Sequence, residues 1–344
     1  MTAGPTSHPQ VTPLHVSIVA IPDAVISTMS GIYDVLNAFR IMEGIDDALP
    51  AVPPFTVEIV AAAGAPVQLA SGLPVQPQRS IAELPRSDVV IVPSVVLGAE
   101  GWKQGRYPEL VAWLAQQHRQ GALLCSACSG LFLLAETGLF DGIESTVHWE
   151  YQQAFQKVFP AVPLKPEQVL IVAGARDELI SSGASNSWHD LVLYLIARFV
   201  GPPAAQSVGK FFALQWHREG LAPYVRFAPR RDHGDAAIAE SQDWIAGHYP
   251  AAAPVEEMMK RSGLGARTFK RRFAKALGMT PIAYVQRLRI EEAKKRLERT
   301  RESVESVAWA VGYEDPSAFR RLFTRIAGIT PAKYRRKFQV PSYD

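Results

Sequence analysis

The chain repeats one stretch of its own sequence. Residues 267–284 read RTFKRRFAKALGMTPIAY, and residues 317–334 read SAFRRLFTRIAGITPAKY. Seven positions are identical at a constant offset of 50: Phe269/Phe319, Arg271/Arg321, Phe273/Phe323, Gly278/Gly328, Thr280/Thr330, Pro281/Pro331 and Tyr284/Tyr334. An internal repeat indicates a structural unit that occurs twice. Each copy has the pattern of a basic helix that ends at Gly and is followed by Thr-Pro at the start of another helix.

Length and composition limit the number of domains, the possible membrane spans and the compartment of the protein. A chain of 344 residues is long enough for two or three domains. It has no run of 18 apolar residues, so we expect no membrane span. Residues 1–13 are polar and Pro-rich and predict a disordered tail rather than a signal peptide, and residues 339–344 predict a second tail. The only cysteines, Cys125 and Cys128, predict no disulfide framework, which favours the cytoplasm.

The charge is divided unequally along the chain. Residues 236–344 hold 21 Lys+Arg and 12 Asp+Glu, a net charge of +9, whereas residues 1–235 hold 15 and 21, a net charge of −6. A basic C-terminal part on a mildly acidic N-terminal part indicates that only the former meets a polyanion. A solvated helical surface would explain the charge alone equally well, and the repeat favours the polyanion.

The first 200 residues alternate short apolar runs with helical patterns. Runs typical of buried strands lie at 15–21, 55–61, 88–92, 122–126, 169–172 and 179–181. Helical spacing appears at 30–41, 108–120, 131–136, 151–159 and 188–200. This alternation predicts an α/β domain with a doubly wound, flavodoxin-like parallel sheet.

One predicted strand end carries a nucleophile. Residues 126–130, Ser-Ala-Cys-Ser-Gly, join a strand to a helix through small residues, which is the pattern of a nucleophile elbow. Cys128 would lie at a helix N-terminus, where the helix dipole lowers the pKa of a thiol. Downstream, His148 offers an imidazole that could approach the sulfur.

These residues resemble the DJ-1/PfpI superfamily, relatives of class I glutamine amidotransferases. The resemblance rests on Cys128-Ser129-Gly130 followed by LFLLAETGLFDGIESTVHW, and it covers about residues 14–200. Peptidase-like members have His after the Cys, where this chain has Ser129. The superfamily supplies a carboxylate from the first helix, where counting back from Gly31 gives Thr28.

An activating acid is therefore missing from its expected place, and we expect a sensor domain rather than an enzyme. Its ligand pocket would be formed by Cys128, Ser129, His148 and Thr28, with no catalytic residue: Cys128 and His148 would be a vestigial nucleophile position and its neighbour. Two alternatives stay open, a Cys-dependent hydrolase or amidotransferase-like enzyme with a DNA-binding tail, and a structural domain whose cysteine is inert.

Metal and redox interpretations of the cysteines are weaker. Cys125 and Cys128 form a C-x-x-C, but the redox motif needs both sulfurs at a helix start and Cys125 falls within the predicted strand. Zinc needs further ligands at suitable spacing, and His148 fits a hydrogen-bonded pocket residue better than a ligand. We expect neither a metal nor a cofactor.

Residues 201–235 are predicted to connect two domains. Gly201-Pro202-Pro203 ends the first domain, and 204–216 predicts a helix anchored by Phe211, Phe212 and Trp216, either an interdomain or dimer element or simply a docked helix. Residues 229–235, PRRDHGD, are charged and contain Gly, and predict a flexible hinge.

The C-terminal part predicts an all-α domain, residues 236–338, with two helix-turn-helix units. In each unit the apolar stripe leaves a basic face at the start of the second helix, where major-groove readers contact bases. Those faces hold Arg267, Lys270 and Arg271 in the first unit and Ser317, Arg320 and Arg321 in the second. A long helix, 282–299, joins the units and is expected to carry Arg287, Lys294, Lys295 and Arg296 outside, with Lys295 against phosphate.

This part resembles the AraC/XylS type of DNA-binding domain through AWAVGYEDPSAFRRLF and GITPAKYR. The alternative to a DNA-binding domain is a helical module that binds other proteins. Together the halves resemble GlxA-like regulators. The resemblance implies a one-component transcriptional regulator that binds operator DNA, senses a small, nitrogenous metabolite, forms a homodimer and meets RNA polymerase.

Overall fold

A computed structural model of the chain describes residues 12–340. The chain divides into two compact units, the first ending at Leu221 and the second beginning at Ala222. The tails predicted at 1–13 and 339–344 lie outside the described residues, apart from positions 12, 13, 339 and 340. Within 12–340 no helix combines the length and hydropathy needed to cross a membrane.

The first unit alternates strands and helices. Its strands are β1 Leu14–Val19, β2 Phe55–Ala61, β3 Val67–Gln68, β4 Pro74–Val75, β5 Arg79–Ser80, β6 Val89–Val92, β7 Leu123–Ala127, β8 Leu170–Ala173 and β9 Leu179–Ser182. Its α-helices are α1 Ile26–Leu36, α2 Pro108–Arg119, α3 Leu131–Ala135, α4 Gln152–Val158, α5 Trp188–Phe199 and α6 Pro202–Phe211. The predicted elements are all present, with ends shifted by a few residues.

Seven of these strands form one sheet, in the order β5-β2-β1-β6-β7-β9-β8. From β5 to β9 all neighbours pair in parallel, which confirms the predicted α/β class, and only the edge strand β8 runs antiparallel to β9. After β1 the chain moves to β2 on one side and later to β6 on the other. This reversal puts the C-terminal ends of β1, β6 and β7 side by side, where doubly wound sheets place their sites.

The second unit is helical and contains the repeat. Its helices are α7 Ala236–His248, α8 Pro254–Arg261, α9 Ala266–Leu277, α10 Pro281–Arg299, α11 Val304–Ala310, α12 Pro316–Ala327 and α13 Pro331–Phe338. Helices α8 and α9 form the first predicted helix-turn-helix unit, and α11 and α12 form the second.

Two separate apolar clusters hold this unit together, and α10 contributes to both. Tyr284 and Val285, near its start, pack with Phe269 and Phe273 of α9. Farther along, α10 enters a cluster that includes Phe319 and Phe323 of α12, through Ile290, Ala293 and Leu297. The duplicated phenylalanines are therefore the core residues of the two units, and one continuous helix links the two cores.

The other repeated residues begin and end helices. Gly278 and Gly328 end α9 and α12 in the left-handed conformation, with φ of 67° and 73°. Thr280 and Thr330 then cap α10 and α13 by accepting a backbone N–H on the side-chain oxygen, and the prolines follow at the first helical position. The matched glycines, threonines and prolines thus have the same structural role in both copies.

Three expectations about side chains need correction. Lys294, predicted outside, is only 4% exposed, because residues of the segment 222–235 cover that side of α10. Helix α6 ends at Phe211 rather than reaching Trp216. Phe211 and Trp216 are 48% and 38% exposed and do not anchor the segment on the first unit, whereas Phe212 packs on the core of that unit.

The predicted connector is divided between the units. Helix α6 packs on α5 in the first unit, whereas residues 222–235 belong to the second unit and make specific contacts there. Residues 229–235 are therefore not a free hinge: Arg230 and Asp235 are both hydrogen-bonded to helices of the second unit. The boundaries expected for a sensor at 14–200 and a reader at 236–338 stay a prediction.

Each helix-turn-helix unit has a glycine in its turn, Gly263 between α8 and α9 and Gly312 between α11 and α12. The pair allows a matched test of how tightly the two turns are packed. Gly263 and Gly312 both have positive φ, 64° and 90°. A Cβ at Gly312 would lie 2.6 Å from the backbone oxygen of Pro250, whereas at Gly263 nothing lies within 4 Å. Both alanine variants share the cost of the left-handed conformation, but Gly312→Ala should lose about 1–3 kcal/mol more because backbone must move.

The quantity to measure is the free energy of opening of α8, α9, α11 and α12 in the full chain, by hydrogen-exchange mass spectrometry in urea. Equal losses in the two variants would show that Pro250 does not pack against this turn.

Candidate functional site

Cys128 occupies a strained turn at the end of β7. Its φ is 52°, an unusual value for a residue other than glycine, and a single 3₁₀ turn, Cys128–Gly130, leads from it into α3. A Cβ at Gly130 would lie 2.3 Å from the oxygen of Val92 and 2.6 Å from that of Pro93, so only glycine fits there. The predicted elbow geometry is confirmed.

The prediction of an activated thiol is wrong. Cys128 is 1% exposed, and burial raises the pKa of its thiol above the ordinary value, against the opposing hydrogen bonds of Ser129, Ser185 and Ser94. Helix α3, which follows the 3₁₀ turn, has only five residues, so its dipole cannot offset that desolvation. The other thiol, Cys125, lies fully buried within β7, and burial raises its pKa as well.

Hydroxyl groups surround the sulfur. Ser185 Oγ lies 3.9 Å from Cys128 Sγ. The hydroxyl of Ser129 accepts from the N–H of Val95 and donates to its oxygen, at 2.9 and 2.6 Å, which attaches the elbow to the segment that follows β6. Thr28 donates to Ser94 over 3.2 Å. Thr28 thus stands near the elbow as a neutral hydroxyl.

His148 lies in an aromatic group beside the elbow. Its ring stacks on Trp149 at a centroid distance of 4.0 Å and lies 5.7 Å from the ring of Tyr151. The N–H of Glu150 donates to Nδ1 of His148, which leaves Nε2 to carry the proton of the neutral ring. Burial lowers the pKa of His148, so the ring is neutral at pH 7. Burial raises the pKa of the Tyr151 phenol.

This arrangement suits binding better than nucleophilic attack. A nucleophilic cysteine needs thiolate and an oriented base. Here burial raises the pKa of the thiol, and the groups that hydrogen-bond it are the backbone of Ser129 and the hydroxyls of serines. Among residues 12–340, no group of three His, Cys, Asp or Glu side chains is arranged to hold a metal ion.

The sequence did not single out a second polar feature of the first unit. Asp190, 4% exposed, lies at the start of α5, and its two oxygens face the backbone N–H and the Nδ1 of His217 at 2.9 and 2.6 Å. These residues, with Trp216 and Arg218, line an open recess of about 360 Å³. An aspartate inside the otherwise apolar pattern of α5 is the only sequence signal that could have indicated it.

On the second unit, the basic side chains expected at the reading faces are exposed. Arg267, Lys270 and Arg271 stand on α9, and Ser317, Arg320 and Arg321 stand on α12. Arg320 pairs with Glu305 of α11, and Arg321 lies 3.9 Å from Asp315, the residue that caps α12. A surface recess of about 490 Å³ lies among Arg320, Arg321, Thr324 and Arg325, of which sequence reasoning missed the last two.

The phosphate contact expected at Lys295 has a competitor within the chain. Its Nζ lies 2.6 Å from Glu292, and 42% of its side chain is exposed. Lys295 is therefore accessible, but Glu292 neutralises part of its charge.

Family models match both halves of the chain. The DJ-1/PfpI family model matches residues 41–169, and a helix-turn-helix domain model matches residues 258–337. The HTH-type transcriptional regulator CdhR of Pseudomonas aeruginosa is 30% identical over 288 residues, covering 80% of this chain and 80% of CdhR. The regulator GbdR of the same species is 27% identical over 283 residues, covering 79% of this chain and 72% of GbdR.

A crystal structure of an AraC family transcriptional regulator from Pseudomonas putida aligns with 58% of this chain and all of its own, at 21% identity and a TM-score of 0.47. The similarity to CdhR, at 30% identity over 80% of both chains, shows that this chain belongs to the HTH-type transcriptional regulators, and the family models show that it joins a DJ-1/PfpI domain to a helix-turn-helix domain.

Proposed function

We propose that this regulator reads two adjacent segments of one DNA face with α9 and α12, and that its first unit senses a small nitrogenous metabolite. The observation that carries the proposal is the duplicated pair of exposed arginines, Arg271 and Arg321. Each follows a buried phenylalanine on a helix that packs against the same α10. The compartment we propose is the cytoplasm, where a regulator meets chromosomal DNA.

The reading faces suit the major groove. Arginine can donate two hydrogen bonds to guanine, and residues at the start of a recognition helix reach base edges. Arg267, Lys270 and Arg271 would supply one face and Ser317, Arg320 and Arg321 the other. Helix α10 has 19 residues and is about 28 Å long, comparable to the ~34 Å of one duplex turn. A single rigid helix of that length supports reading of successive turns.

The effector site we propose lies at the elbow. Thr28 and Ser129 are buried and engaged in hydrogen bonds, so they would form its floor with Cys128. The half-buried rings of His148, Trp149 and Tyr151 would form its wall. Aromatic faces attract quaternary and primary ammonium groups. This chemistry supports a nitrogenous ligand.

Regulation requires that the effector favour one arrangement of the protein over another. The full assembly we propose is a homodimer on its operator, in contact with RNA polymerase. We propose the second copy of the chain and RNA polymerase as partners because of the family resemblance. No contact within this chain carries either proposal.

The enzymatic alternative has one point in its favour, the elbow itself. The protonated thiol and the neutral Thr28 weigh against it, and we propose that the first unit has no turnover.

For the DNA readers, we expect Arg271→Ala and Arg321→Ala each to lose about 1–3 kcal/mol of binding free energy and to relax base preference at one position of the site.

Lys295→Ala should weaken binding equally for all sequences, because a phosphate contact carries no base information. The slope of the logarithm of the binding constant against the logarithm of salt concentration should become shallower by about one. Arg119→Ala, at an exposed arginine of α2, serves as the control.

The assay is fluorescence anisotropy with the full chain and a duplex selected from a random pool, together with its single-base variants. Unchanged base preference in both arginine variants would refute the assigned faces, and a base-dependent loss in Lys295→Ala would refute its phosphate role.

For the effector, a thermal-shift screen of the full chain against quaternary and primary amines should give a concentration-dependent rise in Tm. Replacing the ring in His148→Ala should reduce this rise. His118→Ala, on α2, should leave it intact. A ligand whose shift survives in His148→Ala binds elsewhere.

For the thiol, iodoacetamide labelling followed by peptide mapping should find Cys128 slow at pH 7, with a rate still rising above pH 8.5, the ordinary thiol pKa. The reason is that thiolate is the reactive form and burial disfavours it. A rate that levels off near neutral pH, together with a turnover lost in Cys128→Ala, would favour the enzyme.

A further inference from the structure

The two reading helices are fastened in different ways. Helix α12 begins at Asp315, whose carboxylate accepts the N–H groups of Ser317 and Ala318. Helix α9 begins at Gly265, which has no side chain for this task. The repeat differs again one residue after the reading arginine, where α12 has the buried Leu322 and α9 has Arg272.

Arg272 binds a residue outside the helix-turn-helix. Its Nε and Nη2 donate to the two oxygens of Asp235 at 2.8 and 2.7 Å, the two-pronged geometry that orients both partners. Asp235 also caps α7 by accepting the N–H of Ile238 at 3.2 Å. The first reading helix is thus attached to the point where the incoming chain becomes α7.

The incoming chain is itself held along its length. We call residues 222–235 the strap. Lys294 donates to the oxygen of Val225 at 2.8 Å, and the N–H of Phe227 donates to Glu291 at 3.2 Å. Farther on, Gln242 of α7 donates to the oxygen of Arg230. These contacts hold the strap against α10 and α7. Its last residue, Asp235, binds Arg272 of α9.

The strap directly follows the first unit in the chain, so a displacement can pass from the first unit to the strap. The first unit ends at Leu221, and the strap begins at the next residue, Ala222. A change in the first unit that displaces this chain acts first on the strap. The strap binds α9 through Arg272, and its Phe227 packs on the cluster that holds Phe269 and Phe273 of α9. On the side of the second unit of the repeat it contacts α13, where the rings of Tyr224 and Phe338 lie 5.1 Å apart, while α12 itself has its own cap and its own apolar anchor.

We propose that Arg272 is a positioning residue for DNA reading. Through Asp235 it makes the orientation of α9 depend on the strap, so that the sensor controls recognition of the half-site read by α9 and leaves the half-site read by α12 unchanged. This inference rests on the proposed roles of α9 and α12 as readers.

The test uses the full chain and a selected duplex in which each half-site is altered separately. Arg271→Ala first identifies the half read by α9, because base discrimination should fall there. The variants are Asp235→Asn, Arg272→Gln and the double variant. Asparagine is as good a helix cap as aspartate, so Asp235→Asn removes the ion pair and keeps α7 capped.

We expect each single variant to lose about five- to tenfold in discrimination at the α9 half, through weaker orientation of one helix. Discrimination at the α12 half should stay within about twofold, and the double variant should match the singles, because both remove one interaction. The control pair is Glu257→Gln and Arg261→Gln, an exposed ion pair within α8, which should change neither half.

Two results would overturn the proposal. Equal losses at both halves would mean that the ion pair only stabilises the unit. The second is a loss of DNA affinity that occurs only in Arg272→Gln, is equal for all sequences and comes with a smaller salt dependence. It would mean that Arg272 binds phosphate itself. If instead Arg271→Ala alters discrimination nowhere, the proposed reading face fails, which is a separate outcome.

Discussion

Helix α10 is buried at both ends in different cores, and the second unit depends on that constraint. Its first turns pack Tyr284 and Val285 against the phenylalanines of α9, and its later turns pack Ala293 and Leu297 among those of α12. Neither helix-turn-helix unit has a complete core without it. Because the helix is continuous, α9 and α12 cannot rotate independently without breaking apolar packing. The spacing of α9 and α12 therefore depends on one helix.

The first unit combines the geometry of a nucleophile elbow with a buried thiol. The strained φ of Cys128 and the close approach at Gly130 preserve a turn that can present a nucleophile. Burial then keeps the thiol protonated, and Thr28 contributes a hydroxyl near the elbow. These features support our proposal that the site serves recognition in a sensor domain rather than turnover.

Much of this could be predicted because it depends on local patterns. Strand and helix positions, the caps at Thr280 and Asp315 and the core role of Phe269 and Phe319 follow from periodicity and turn chemistry. Contacts between residues remote in sequence could not be predicted. Helical spacing alone puts Lys294 outside, but the strap covers it; the Asp235–Arg272 pair likewise joins positions 37 apart. The pKa of Cys128 depends on burial, which a single elbow motif does not reveal.

We propose that α10 holds α9 and α12 on one face of DNA, one turn apart. Hydroxyl-radical footprinting of the full chain on a selected duplex measures this arrangement. We predict, for each bound chain, two protected patches on the same face, separated by about 10 base pairs. A single patch per chain, or two patches on opposite faces of the duplex, would contradict it.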